Sequence, residues 1–115
     1  TGRGAGQGTT LNCALAPGSG DEAFLCALRD ELVPAMDSFR PDFVFISAGF
    51  DAHAADPLGG LEVSTEAYAQ ATRILCDLAD RHANGRLLST LEGGYDLEAL
   101  AEASMAHLRL LLEHP

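Results

Sequence analysis

The sequence DFVFISAGFDAH, at residues 42–53, organises the rest of the chain, and DPLGG follows it at residues 56–60. Its apolar run from Phe43 to Ile46 is short, rich in β-branched and aromatic residues, and not alternating, which predicts a strand buried on both faces of a sheet. Small residues then carry Asp51 just past the end of that strand. In a parallel α/β sheet this position opens onto the crevice where ligands bind. Asp51 is therefore a candidate metal ligand or acid–base group.

A second stretch, from Arg86 to Leu91, has the same strand character and is followed by Gly93, Gly94 and Tyr95. If the two strands are parallel neighbours, Asp51 and Tyr95 lie in consecutive loops at one edge of the sheet. A carboxylate there can hold a metal, and a phenol can donate a hydrogen bond to an oxyanion. A capping aspartate beside a half-buried tyrosine is an equally good interpretation of the residues alone.

The sequence of the first third of the chain predicts one strand followed by one interrupted helix. Leu11 to Leu15 is a short strand candidate, closed by turn residues. Asp21 is a good helix N-cap, and apolar residues recur at helical spacing from Leu25 to Phe39. Pro34 lies inside this helix and is expected to kink or split it, since an interior proline costs about 3 kcal/mol.

Two further helices follow the two central strands. Ser64 or Thr65 begins the first of them, Asn84 and Gly85 end it, and Asp96 caps the second. The predicted order is strand, helix, strand, helix, strand, helix. That order implies an α/β fold with parallel strands and right-handed crossovers.

The composition fits one globular domain spanning residues 1–115. The net charge of −10 leaves no basic patch, so we expect no direct nucleic-acid binding. No apolar run approaches the ~20 residues that span a bilayer, so we expect no membrane association. Cys13, Cys26 and Cys76 lie apart among apolar residues, as free thiols of a reducing compartment do, and we expect a cytoplasmic location.

Other candidate sites are weaker. The alternating glycines of residues 1–8 suggest a phosphate-binding loop, but such a loop precedes a helix, and the next residues here resemble a strand. Asp51 and His53 look like a metal-ligand pair, yet a catalytic zinc usually has three protein ligands. Asp56 precedes a proline and is interpreted first as a turn residue. Glu92 is either an acid–base group or a loop hydrogen-bond acceptor.

The remaining histidines, His82, His107 and His114, lie on or just after helices and are interpreted as surface or packing residues. Ser47 and Ser89 have no evident partner histidine at a strand end, which disfavours a serine triad.

Three motifs in this order resemble a known family: SAGFDAH at residues 47–53, DPLGG at 56–60 and LEGGYDL at 91–97. They closely resemble the C-terminal part of the catalytic domain in the histone deacetylase superfamily. The similarity is greatest to class II deacetylases, histone-deacetylase-like amidohydrolases and acetylpolyamine amidohydrolases. The opening TGRGAGQG, with Leu11 and Asn12, also resembles that family, so the resemblance covers essentially the whole chain.

The resemblance implies a three-layer parallel-sheet arginase–deacetylase fold, of which this chain is a partial, C-terminal portion. It implies zinc-dependent hydrolysis of acetyl groups from acetyl-lysine, in histones or other proteins, or from acetylpolyamines. Asp51 resembles the third zinc ligand, and Tyr95 resembles the phenol that polarises the acetyl carbonyl. Leu58 and Gly94 resemble walls of the acyl-lysine tunnel.

The chain also departs from the family pattern. The family's other two zinc ligands and its general-base histidines lie upstream of these motifs and have no counterpart here, so His53 is left out of the metal shell as a rim residue. We therefore expect a fragment that needs further ligands to hold Zn²⁺ and is inactive alone. We also expect an open sheet edge that favours association with itself or with the missing half. The alternative is a non-catalytic α/β assembly or interaction module.

Overall fold

The structure, a computed structural model, describes residues 1–114. Its first regular element is a 3₁₀ turn at Gly4–Gly6. The other elements, in chain order, are helix α1 (Asp21–Cys26), a π-helical segment (Ala27–Leu32), helix α2 (Val33–Phe39), strand β1 (Val44–Ala48), helix α3 (Thr65–Ala83), strand β2 (Leu87–Leu91) and helix α4 (Leu97–Glu113). None of these helices is long and apolar enough to cross a bilayer.

Strands β1 and β2 form a two-stranded parallel sheet, with Val44 opposite Leu87 and Ala48 opposite Leu91. This confirms the parallel pairing predicted for the two stretches. Helix α3 is the crossover between them. Because the strands run in the same direction and in register, the loops that leave their carboxyl ends start at the same edge.

The strand predicted from Leu11 to Leu15 is wrong, since these residues form no regular element. A strand requires a neighbour that completes its hydrogen-bond ladder, and none of residues 1–114 pairs with this segment. The Cys13 thiol instead lies 3.9 Å from the carbonyl oxygen of Ala27. The observed order is therefore helix, strand, helix, strand, helix.

The first helical region is continuous but changes its winding ahead of Pro34. Pro34 has no N–H to donate to the carbonyl of Asp30, and its ring crowds that carbonyl. The π-helical turns at Ala27–Leu32 provide the extra room. The helix was expected to kink or split at Pro34, but it instead continues through a wider, π-helical segment.

Asp21 does not have its predicted role. Gly20 is the N-cap of α1, and the Asp21 carboxylate accepts hydrogen bonds from the backbone N–H and the hydroxyl of Ser64, both at 2.6 Å. Ser64 in turn caps α3 by accepting from the N–H of Ala67 at 3.1 Å. One carboxylate therefore joins the beginnings of two helices that are far apart in sequence.

The predicted ends of the later helices are confirmed. Asn84 ends α3 in the left-handed conformation, with a φ of 51°. Asp96 caps α4 by accepting a hydrogen bond from the N–H of Ala99 at 2.8 Å. The Asp96 cap sets where α4 begins, directly after the loop that carries Tyr95.

Helix α3 is the centre of the core, because it packs against α1, α4 and both strands. Its side chains Tyr68 and Ala71 meet Leu25 from α1, Phe50 from beyond β1 and Ala103 from α4. A smaller cluster joins the sheet to the end of α3 and consists of Val44, Ile46, Ala79, Ala83 and Leu87. The core therefore lies on one side of the sheet.

The opposite face of the sheet is exposed. Phe45 is 73% exposed and Leu88 is 48% exposed, and the rings of Phe43 and Phe45 stack on each other at 4.6 Å. The prediction of strands buried on both faces is thus wrong for the described residues, since α3 covers one side of the sheet and α1 and α4 pack against α3. We call Phe43, Phe45 and Leu88 the open face.

Candidate functional site

The loops after the two strands lie side by side. Beyond the last strand pair, the N–H of Glu92 donates to the carbonyl of Ala48 at 3.0 Å, and the N–H of Phe50 donates to the carbonyl of Gly93 at 2.8 Å. These bonds extend the parallel ladder past both strand ends. Asp51 follows Phe50 directly and is partly buried.

Three glycines surround Asp51. A Cβ on Gly93 would stand 2.6 Å from Oδ2 of Asp51, and a Cβ on Gly49 would stand 2.8 Å from its Oδ1. A Cβ on Gly59 would stand only 1.6 Å from the Asp51 carbonyl oxygen. The position of the Asp51 carboxylate therefore depends on the absence of side chains at Gly93 and Gly49, and the position of its backbone depends on Gly59. The glycines were visible in the sequence, but their shared neighbour was not.

Tyr95 lies at the same edge, 56% exposed. Gly94 precedes it with a φ of 140°, and a Cβ there would stand 2.8 Å from Cδ1 of Leu100 and 3.2 Å from Cβ of Phe50. This packing holds the Tyr95 loop against the loop that carries Asp51. The predicted placement of Asp51 and Tyr95 at one sheet edge is confirmed, while their catalytic roles stay predictions.

Leu58 is 70% exposed on the first of these loops. Its N–H and that of Gly59 donate to Oδ1 of Asp56, at 2.8 and 3.0 Å. The interpretation of Asp56 as a turn residue is therefore correct. It was incomplete, because Oδ2 of Asp56 also accepts from the N–H of Tyr95 at 2.7 Å.

Tyr68, on helix α3, is a buried residue that contacts the end of strand β1 and that no motif in the sequence singles out. Its hydroxyl donates to the carbonyl of Gly49 at 3.1 Å, and its ring lies 5.1 Å from that of Phe50. Burial raises the pKa of Tyr68 to about 12, so the hydroxyl keeps its proton at neutral pH. Tyr68 thus fixes the backbone two residues before Asp51.

Both ring nitrogens of His53 have partners in the protein. Nδ1 accepts from the N–H of Ala55 at 3.1 Å, and Nε2 lies 3.0 Å from the hydroxyl of Thr65. Because Nδ1 accepts, Nε2 carries the proton and donates to that hydroxyl. This arrangement agrees with leaving His53 out of the metal shell.

Ser89 does have a histidine partner, contrary to the sequence interpretation. Its hydroxyl lies 2.8 Å from Nε2 of His107, and Nδ1 of His107 lies 2.7 Å from the hydroxyl of Thr72. Since Thr72 donates to the carbonyl of Tyr68 at 2.7 Å, it accepts from Nδ1, and Nε2 accepts from Ser89. Burial lowers the pKa of His107. No carboxylate of the described residues orients the ring, so the group is a buried packing network and not a hydrolytic triad.

The other two histidines are partly buried beside carboxylates, in line with the surface or packing role expected of them. His82 contacts Asp37 at 2.7 Å, which ties α3 to α2, and His114 contacts Asp80 at 2.6 Å.

Asp51 fits a metal as one ligand, but the described residues do not supply a complete set. Within residues 1–114 there is no group of three or more His, Cys, Asp or Glu side chains placed to hold a metal. None of these residues donates a hydrogen bond to the Asp51 carboxylate, so both oxygens remain available at the sheet edge. Carboxylate oxygen is an accepted zinc ligand.

Comparison with known proteins extends over nearly the whole chain. A model of the histone deacetylase domain matches residues 1–111. Histone deacetylase 10, chloroplastic, from Oryza sativa subsp. japonica is 42% identical over 114 residues, which cover 99% of this chain and 26% of that protein. The histone deacetylase-like amidohydrolase of Pseudomonas aeruginosa is 40% identical over 90 residues, which cover 78% of this chain and 24% of that protein.

Comparison with solved structures points to the same family as the sequence comparison. The histone deacetylase Clr3 superposes with a TM-score of 0.90 at 35% identity, covering 99% of this chain and 19% of that one. The HD domain of HDA15 superposes with a TM-score of 0.88 at 38% identity, covering 99% of this chain and 32% of that one. The chain thus has part of the arginase–deacetylase fold and spans about a quarter of the length of the Oryza and Pseudomonas relatives. From its sequence and its fold alike, the chain belongs to the histone deacetylase family, of whose catalytic domain it forms a part.

Proposed function

We propose that this chain supplies one wall of the active site of a zinc-dependent amidohydrolase that removes acetyl groups from acetyl-lysine or acetylpolyamines. The observation that carries the proposal is the meeting of two loops at the carboxyl edge of the parallel sheet. One loop holds a carboxylate whose oxygens have no hydrogen-bond donor among residues 1–114, and the other holds a half-exposed tyrosine. Family membership supports this assignment.

In the proposed site each residue has a separate task. Asp51 contributes one carboxylate ligand to the metal. Bound zinc supplies Lewis acidity and lowers the pKa of its water towards ~7. The Tyr95 phenol donates a hydrogen bond to the acetyl oxygen as negative charge develops there, and loss of such a donor typically costs about 10²–10³ in rate. Leu58 offers an exposed apolar wall for the methylene chain of the substrate.

The proposed site is not complete within this chain. A catalytic zinc usually has three protein ligands, and hydrolysis also needs a general base. We therefore expect the isolated chain to be inactive towards acetyl-lysine. The remaining ligands and base come from the rest of a catalytic domain, which would also cover the open face.

The second candidate function is a non-catalytic interaction module. The open face favours it, because Phe45 and its neighbours present apolar surface that a partner or a second copy would bury. In that case the chain would associate, but Asp51 and Tyr95 would have no catalytic consequence.

A chimera separates the two functions. The segment of the Pseudomonas aeruginosa amidohydrolase that matches this chain is replaced by the chain's own residues. We expect chelator-sensitive hydrolysis of an acetyl-lysine peptide, abolished by Asp51→Asn and reduced about 10²-fold or more by Tyr95→Phe. Glu98→Gln, an exposed change on the first turn of α4, serves as the matched control.

A folded chimera that binds zinc but has no hydrolytic activity would refute the catalytic proposal and favour the interaction module. Full activity of Asp51→Asn would refute the role of that carboxylate. Chelator-sensitive turnover by the isolated chain would show that its site needs no other segment.

A further inference from the structure

One carboxylate links the two loops of the proposed site. Asp56 lies in the loop after β1, and its two carboxylate oxygens accept hydrogen bonds from different partners. Oδ1 accepts from the N–H groups of Leu58 and Gly59 within its own loop, at 2.8 and 3.0 Å. Oδ2 accepts from the N–H of Tyr95 in the loop after β2, at 2.7 Å.

The Oδ2 contact joins residues that are 39 positions apart in sequence. It reaches the backbone of the residue that bears the proposed phenol. The Oδ1 contact reaches the backbone of Leu58, the proposed wall. A single side chain therefore ties the backbones of Leu58 and Tyr95, the two residues proposed to contact the substrate.

The charge state of Asp56 fits this arrangement. Desolvation raises the pKa of its carboxyl, but donation from the N–H groups of Leu58, Tyr95, Gly59 and Asp96 together outweighs that effect and holds the pKa below its ordinary value. The group is therefore ionised at neutral pH, when each N–H faces an acceptor. Hydrogen bonds to a charged acceptor are shorter and stronger than bonds between neutral groups, so the ionised carboxylate holds both loops more firmly than a neutral side chain would.

We infer that Asp56 is a positioning residue that sets where the Tyr95 phenol stands relative to the Leu58 wall. The catalytic part of this inference rests on the proposed function. The structural part, the link between the two loops, does not depend on it. The role differs from that of Asp51, because the Asp56 oxygens are directed at backbone N–H groups.

Two variants separate the two halves of the link. Asp56→Asn keeps one acceptor oxygen, which can still serve Leu58 and Gly59, but turns an NH₂ group towards the N–H of Tyr95. Asp56→Ala removes all three bonds. In the 115-residue chain, amide hydrogen exchange followed by NMR should show faster exchange at Tyr95 alone in Asp56→Asn, by about tenfold or more. Asp56→Ala should accelerate exchange at Tyr95, Leu58 and Gly59 together.

Glu98→Gln is the control and should leave all three amides unchanged. Exchange at Tyr95 that stays as slow in both Asp56 variants as in the parent chain would overturn the inference. General acceleration across α3, with a lowered melting temperature, would also overturn it, since Asp56 would then act on the whole fold and not on the loops.

The catalytic part is tested in the chimera. Asp56→Asn should lower kcat about tenfold or more while KM changes less than threefold, because the misplaced phenol acts only in the transition state. Equal kcat values for Asp56→Asn and the parent chimera, with faster Tyr95 exchange, would overturn the positioning role. An inactive parent chimera would count against the proposed function, and the amide exchange result alone would then decide whether Asp56 links the loops.

Discussion

Gly93→Ala should displace the Asp51 carboxylate while leaving the fold intact. The new Cβ would stand 2.6 Å from Oδ2, 2.9 Å from Cγ and 3.2 Å from Oδ1 of Asp51, where ordinary contacts begin at 3.4 Å. The carboxylate must therefore retreat by about 0.8 Å, whereas metal–ligand distances vary by only about ±0.2 Å. The shift is about four times that tolerance.

The stability cost of this change should be small. Gly93 does not have a positive φ, so alanine fits its backbone conformation. The atoms that clash are the end of a side chain, which can rotate away. Gly59→Ala differs, because its Cβ would stand 1.6 Å from a backbone oxygen and the loop itself must move. We expect Gly59→Ala to destabilise the protein clearly and Gly93→Ala to change its melting temperature by only a few degrees.

The assay measures zinc affinity of the chimera by competition with a chromogenic chelator, next to thermal unfolding. Gly93→Ala should weaken zinc binding about 10–100-fold, as the loss of support around a ligand typically does. Gly6→Ala is the control, since a Cβ there would meet only the Thr9 hydroxyl at 3.7 Å. Unchanged zinc affinity in a folded Gly93→Ala chimera would refute the argument that this glycine creates the space for the ligand.

Three other predictions concern the isolated chain. Burial lowers the pKa of His107 in the folded state, so the folded protein favours the neutral imidazole. The free energy of unfolding in urea should therefore be constant above the unfolded pKa of ~6.5 and should fall as the pH drops from there towards the folded pKa. His107→Gln should reduce this pH dependence, and a free energy of unfolding that rises as the pH drops would contradict the prediction. Tyr68→Phe leaves the Gly49 carbonyl without its donor and should cost about 1–3 kcal/mol in urea unfolding; a neutral effect would show that water replaces the hydroxyl. Sedimentation at increasing protein concentration should show self-association, and Phe45→Lys should weaken it. Phe39→Lys is the control, because Phe39 is similarly exposed but lies on a helix away from the open face. A protein that stays monomeric at high micromolar concentration would contradict this prediction.

Local sequence signals predicted most of the central elements correctly. The strands at Phe43 and Leu87, the cap at Asp96 and the left-handed end at Asn84 depend on residues within a few positions of each other. The parallel pairing then followed from the helix between the strands, and with it the common edge of Asp51 and Tyr95. Each of these signals is short in range, and each has a direct physical cause.

The failures concern contacts between distant residues. Asp21 has the sequence of an N-cap, but its carboxylate is used by Ser64, 43 positions away. Ser89 meets His107 only because α4 folds back over the sheet. The burial of a strand face is likewise decided by where the helices pack, and local apolarity around Phe45 could not reveal that one side stays uncovered.

The π-helical segment ahead of Pro34 has a consequence for comparing this chain with its relatives. A turn closed by i→i+5 hydrogen bonds contains one residue more than an α-helical turn. The sequence periodicity of the helix after this turn is therefore shifted by one residue, or about 100°, relative to that of the helix before it. A relative with one residue fewer between Leu25 and Met36 could present the same two faces from an uninterrupted α-helix. A single-residue gap in an alignment at this segment would then be explained by a change in helical winding.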